Sequence, residues 1–139
     1  MNNCVYEKKM ELGSHKSSMA EVEPLLKDLQ QAVDIPDEKF YNLLIAVTEA
    51  VNNAIVHGNK YRKDKRVLLI IESDKSSVVI TVIDEGEGFN PNNVADPRHP
   101  ENLMKDSGRG VFIMKSLADE IIYESGKNGT ELKIIFYYK

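Results

Sequence analysis

Residues 37–57 narrow the possible folds more than any other part of the chain. Placed at about 100° per residue, Phe40, Leu43, Leu44, Val47, Val51, Ala54 and Ile55 form one apolar stripe, the face a helix turns to a core. The opposite side is not written for water. It carries Ala46, Glu49, Ala50, Asn53, Val56 and His57, where a solvated helix would show lysines and glutamates. Small alanines around a lone carboxylate and a lone amide indicate a surface that something else approaches closely. The spacing predicts a helix over Asp37–His57 that stops at Gly58, read as a left-handed terminator.

The flanking segments supply a sheet and more helices. Val5 to Leu12 suits a short edge strand ending at Gly13. Ser17 and Ser18 offer a cap for a helix whose apolar residues Val22, Leu25, Leu26, Leu29 and Val33 recur at helical spacing, with Pro24 in its first turns. Pro36 breaks that helix, and Asp34 or Asp37 stands near the next N-terminus. After NKYRKDKR, Val67 to Glu72 and Val78 to Asp84 read as a hairpin, and Ile121 to Glu124 and Leu132 to Tyr138 as a second one around GKNGT. Between the hairpins, Glu85 to Gly110 is crowded with glycine and proline, which fits a lid over a ligand across about residues 90–108. Helical spacing resumes from Val111 to Ala118. With helices early and strands late, the fold class is α+β: a two-layer α/β sandwich whose mixed, mostly antiparallel sheet is covered by helices.

At 139 residues the chain is the size of one domain, spanning 1–139. A net charge of -4 argues against a general phosphate-backbone binder, so no direct nucleic-acid partner is expected. The basic cluster Lys60, Arg62, Lys63, Lys65 and Arg66 lacks interleaved aromatics apart from Tyr61 and reads as a solvated loop. One cysteine, Cys4, and three scattered histidines give neither a disulfide nor a zinc spacing; a reducing, cytoplasmic setting is the expectation. No apolar run approaches a membrane span, so no membrane partner is expected.

Four groups of residues could carry chemistry. Glu49 and Asn53 stand one helical turn apart in TEAVNNAIVHGN. An amide oxygen is a neutral hard donor that can complete the octahedron of Mg²⁺, and the neighbouring carboxylate can take a proton from an attacking hydroxyl. Asp84 leaves a strand into DEGEGF, where Gly86 and Gly88 remove side chains from a ligand's path; a buried carboxylate there suits the exocyclic amino group of an adenine. Gly108, Arg109 and Gly110 sit directly before the helix at Val111, where free N–H groups and the helix dipole attract phosphate and a guanidinium adds a charged fork. Thr130, in the last hairpin, could offer its hydroxyl to the base. Singly, each also reads blandly, as helix-surface hydrogen bonding or an ordinary turn. His57 reads as mainly structural, Asn52 as the weaker ligand candidate, and Cys4 and His15 are left without a role.

The order TEAVNNAIVHGN, DEGEGF, SGRGVFIM, GTELKI resembles the four boxes of the GHKL ATPase superfamily, and within it the small, free-standing bacterial anti-sigma-factor serine kinases. That resemblance implies ATP and Mg²⁺ as cofactors, with Glu49 as general base, Asn53 as metal ligand and Asp84 as the adenine-recognising carboxylate. Gly86 and Gly88 would shape the base pocket, Gly108 to Gly110 would hold phosphates, Arg109 would lie near the terminal phosphate, and Thr130 would support the adenine. The implied partners are a sigma factor and a serine-bearing anti-sigma-factor antagonist, in a homodimer. Only about 36 residues precede the Glu49 helix, too few for a histidine-bearing helical hairpin, and the chain ends soon after the fourth box, where a gyrase or chaperone would continue. The alternative is a nucleotide-gated binding module of the same fold that transfers nothing.

Overall fold

The computed structural model describes residues 5–86, 106–126 and 128–138, without the side chains of residues 106–109. Cys4, Gly88 and most of the expected lid lie outside the described residues, as does the side chain of Arg109.

Period-two alternation of apolar residues makes the sheet. β1 (Tyr6–Gly13), β2 (Arg66–Ser73), β3 (Ser77–Ile83), β4 (Glu120–Gly126) and β5 (Gly129–Tyr137) pair in the order β1-β2-β3-β5-β4. Every pairing is antiparallel, which corrects the mixed sheet expected from the sequence. The cause is topological: β3 and β4 run the same way, but the last hairpin lays β5 between them. Val67, Leu69 and Ile71 of β2, Val78, Ile80 and Val82 of β3, and Leu132, Ile134 and Phe136 of β5 all point to one buried face. Three helices cover it: α1 (Val22–Val33), α2 (Asp37–Asn53) and α3 (Asp106–Leu117). Leu25, Leu26 and Leu29 of α1 and Phe40, Leu43, Val47 and Val51 of α2 complete the core. Truncating Leu69 or Phe136 to alanine would cost about 3–5 kcal/mol. Among the described residues no helix is long and apolar enough to cross a membrane.

Several helix ends differ from the sequence reading, each for a local reason. Neither Ser17 nor Ser18 caps α1: a 3-10 turn (Lys16–Glu21) precedes it, and the buried Ser18 hydroxyl donates instead to Gly13 O at 2.8 Å. Asp34 closes α1 rather than opening α2, taking a left-handed φ of 55° with its N–H on Gln30 O. Gln30 then spans the connection, its Nε2 donating to Ile35 O and to Asp37 Oδ1. Helix α2 passes into a π-turn over Ala54–Gly58. Gly58 is not the left-handed residue; Lys60 (φ 52°) and Tyr61 (φ 60°) are. Finally, α3 starts at Asp106 rather than Val111, so Gly108, Arg109 and Gly110 belong to the helix instead of preceding it. Glycine-rich sequence reads as loop, but packing against α2 keeps these turns helical.

Candidate functional site

Helix α2 presents Glu49 and Asn53 on the side away from the main stripe, and α3 crosses over them. A Cβ on Gly110 would stand 2.9 Å from Glu49 Oε2, 3.2 Å from Asn53 Nδ2 and 3.3 Å from Asn53 Oδ1. Close approach therefore explains the glycine, and much of the alanine face is met by α3 itself. Asn53 is 5% exposed, and among the described residues neither its Oδ1 nor its Nδ2 has a hydrogen-bond partner. Leaving such a group unpaired costs roughly 1–3 kcal/mol, and buried amides are normally satisfied. Among the described residues no three His, Cys, Asp or Glu gather as a metal site. The amide is thus a single hard donor beside one carboxylate, which fits a cation whose other ligands come from a phosphate ligand and water.

Beside this pair, Ala50, Asn53 and Ala54 of the α2 region, Val82 and Asp84 at the end of β3, Met114 of α3, Tyr123 of β4, and Thr130 and Leu132 of β5 line a cavity. The empty space in and around it, open solvent included, is about 250 Å³. Asp84 lies on its floor, 5% exposed. Its Oδ1 accepts from Gly86 N at 2.9 Å and Thr130 N at 3.2 Å, while its own N–H donates to Thr130 O. Burial pushes the Asp84 carboxyl above the ordinary carboxylate range; the Gly86 and Thr130 N–H groups and the nearby Lys65 charge pull back only in part. Thr130, itself buried, shares a 3.2 Å contact between its hydroxyl and that of Ser125.

The glycines around Asp84 act through packing. A Cβ on Gly58 would meet Asp84 Oδ2 at 2.4 Å, and one on Gly86 would meet Gly58 O at 2.0 Å. Gly86 therefore lets the β3 exit lie against the end of the π-turn; it does not merely clear space for a ligand. The structure brings together Glu49, Asn53, Asp84, Gly86, Gly110 and Thr130, with Gly108 and the backbone of Arg109 in the first turn of α3. His57 is exposed on the π-turn, away from the cavity lining.

The profile of the histidine kinase-like ATPase domain matches residues 13–136. The chain belongs to that family. Among curated relatives, the anti-sigma F factor of Clostridium beijerinckii is 35% identical over 92 residues, covering 64% of each protein. The serine-protein kinase RsbW of Staphylococcus epidermidis is 32% identical over 118 residues, covering 76% of this chain and 67% of that protein. The chain thus spans about two thirds of the length of these relatives. A solved structure of the RsbU and RsbW domains of a Mycobacterium tuberculosis protein superposes with a TM-score of 0.69 at 16% identity, covering 94% of this chain and 32% of that one, and shares the fold.

Several cavity residues of this histidine kinase-like ATPase domain escape sequence reasoning. Tyr123 sits on the inner face of edge strand β4, its phenol pushed up to about 12 by burial. Its alternation with Ile121 marks it only as inward-facing. Val82, Met114 and Leu132 are equally indistinguishable from core in the sequence, since the cavity is cut into the core layer.

Proposed function

We propose that the chain is an ATP-dependent serine protein kinase that phosphorylates a serine of an anti-sigma-factor antagonist and also sequesters a sigma factor. The observation that carries this reading is the buried, unbonded amide of Asn53 beside Glu49, opening on the cavity whose floor is Asp84. The names of the relatives, an anti-sigma F factor and a serine-protein kinase, support the partners and the serine acceptor.

In this reading Asp84 accepts the exocyclic amino group of adenine, with Thr130 beside it and the apolar faces of Met114, Val82 and Leu132 around the ring. Gly108 and Arg109, in the first turn of α3, hold phosphate oxygens with backbone N–H groups, Gly110 lets the helix approach Glu49, and Arg109 adds its charge near the terminal phosphate. Asn53 Oδ1 would hold Mg²⁺, which when bound neutralises charge building on the phosphates. Glu49 accepts the proton of the serine hydroxyl as its oxygen bonds to phosphorus and the bond to ADP breaks. Phosphorylation adds about -1.5 to -2 charges to the antagonist and so expels it from a shared interface, freeing this protein for the sigma factor. The same reading makes the kinase a cytoplasmic homodimer.

The test is transfer of label from γ-labelled ATP to candidate serine-bearing antagonists, with Glu49→Ala alongside. Transfer by the wild type and none by the variant, with nucleotide binding kept, is the expected result. Tight ATP binding without label on any antagonist would replace the kinase with a nucleotide-gated binding module.

A further inference from the structure

The buried Asn59 belongs to the sequence box that carries Glu49 and Asn53, yet the proposed phosphotransfer leaves it without a task. It is 1% exposed, and every polar atom it has is engaged. Nδ2 donates to Ser14 Oγ at 2.9 Å and to Arg66 O at 3.0 Å, and Oδ1 accepts from Glu85 N at 2.8 Å. Its backbone N–H donates to Ala54 O and its carbonyl accepts from Arg62 N. One planar amide thereby joins the end of β1, the π-turn, the start of β2 and the exit from β3. Glu85 is also held from its other side, by Lys65 Nζ on its carbonyl at 2.8 Å and by Arg66 N on Oε2 at 3.2 Å.

We propose that Asn59 is the positioning residue of the base pocket, fixing through the Glu85 N–H the direction in which Asp84 faces the cavity. Asp84 and Gly86 flank Glu85, and Asp84 Oδ1 already accepts from Gly86 N and Thr130 N, which leaves Oδ2 for a ligand's amino group. Any rotation of the Glu85 peptide swings that oxygen. The two halves of the amide do separate work. The donor half, toward Ser14 and Arg66, braces the fold; the acceptor half, toward Glu85, aims Asp84. An asparagine is required because two donors and an acceptor must leave one short planar group. The inference rests on reading Asp84 as the carboxylate that recognises adenine.

The experiment compares ATP with inosine triphosphate, which carries a carbonyl where adenine carries the amino group, by calorimetry and thermal melting. The wild type should prefer ATP by roughly tenfold or more, the worth of one hydrogen bond to a charged group. Asn59→Ala should lose most of that preference. Asn59→Asp keeps an oxygen for the Glu85 N–H and should hold the preference within about threefold while melting lower, since both donors are gone. Ser14→Ala should melt lower with its preference intact. A folded Asn59→Ala that discriminates like the wild type overturns the proposal, as does a Ser14→Ala that loses discrimination in proportion to its melting temperature. Should Asn59→Ala not fold, Asn59→Asp decides: preference kept supports the aiming role, and preference lost overturns it. A wild type that binds both nucleotides alike sinks the Asp84 reading and the inference with it.

Discussion

Gly110 packs so tightly on Glu49 that a single added methyl would stand 2.9 Å from the carboxylate oxygen Oε2. The clash involves the far end of a flexible side chain, so the carboxylate can swing aside for about 0.5–1.5 kcal/mol of rotamer strain. Alanine in a helix interior recovers about 0.5–1 kcal/mol over glycine. These nearly cancel, so Gly110→Ala should melt close to the wild type. Phosphotransfer should nevertheless fall by ~100-fold, because the proposed base is displaced by about an ångström. Unchanged transfer in a folded variant would remove Glu49 from the chemistry.

Asn53→Ala takes away a buried amide whose two polar atoms have no partner among the described residues. The unpaired group costs roughly 1–3 kcal/mol, against a small void left by the shorter side chain. The variant should therefore melt no lower than the wild type. Nucleotide affinity measured with magnesium should drop at least tenfold, with little change in its absence; equal weakening in both would count against metal ligation.

Asp84→Asn should stabilise the protein while spoiling its pocket. Because burial raises the Asp84 carboxyl above 3.8, the folded chain keeps this proton after the unfolded chain has lost it. In that window the native state binds more protons, so Asp84 subtracts stability as pH rises through 3.8 and upward. Melting temperatures of the two proteins should be nearly equal below that pH and diverge in favour of the asparagine variant toward neutrality. A gap that stays constant with pH would contradict the assignment. ATP affinity should fall by about tenfold to a hundredfold, the worth of a hydrogen bond to a charge.

Gly58→Ala places a methyl 2.4 Å from Asp84 Oδ2, where the carboxylate is itself pinned by Gly86 and Thr130. Here neither side yields easily. A loss of about 1–3 kcal/mol in stability is expected from overpacking, together with weaker ATP binding, both measurable on the purified variant by melting and calorimetry.

Periodicity makes α2 legible, and with it the pairing of Glu49 and Asn53, because an apolar stripe fixes the rotation of every other residue on the helix. The hairpins are legible for the same reason at period two. Long-range packing is not. The insertion of β5 between β3 and β4 depends on a contact between strands far apart in sequence, and nothing local in Val78 to Asp84 specifies it. Gly108 to Gly110 read as loop because glycine has low helix propensity, whereas the structure uses Gly110 for its size. Gly58 reads as a left-handed terminator, whereas its job is to make room for Asp84. Asn59 draws no role from the sequence because a saturated amide and an exposed one look alike there.

The π-turn at the end of α2 shifts the phase of the residues beyond Asn53. In an unbroken α-helix, Asn53 and Gly58 would point about 140° apart. Widening the last turn so that the Asn59 N–H reaches Ala54 O swings Gly58 round toward the side of Asn53. One continuous helical run thus sets where Asn53 stands relative to the Gly58 backbone that packs against Asp84. Deleting a single residue from that turn would dismantle their alignment without touching either side chain.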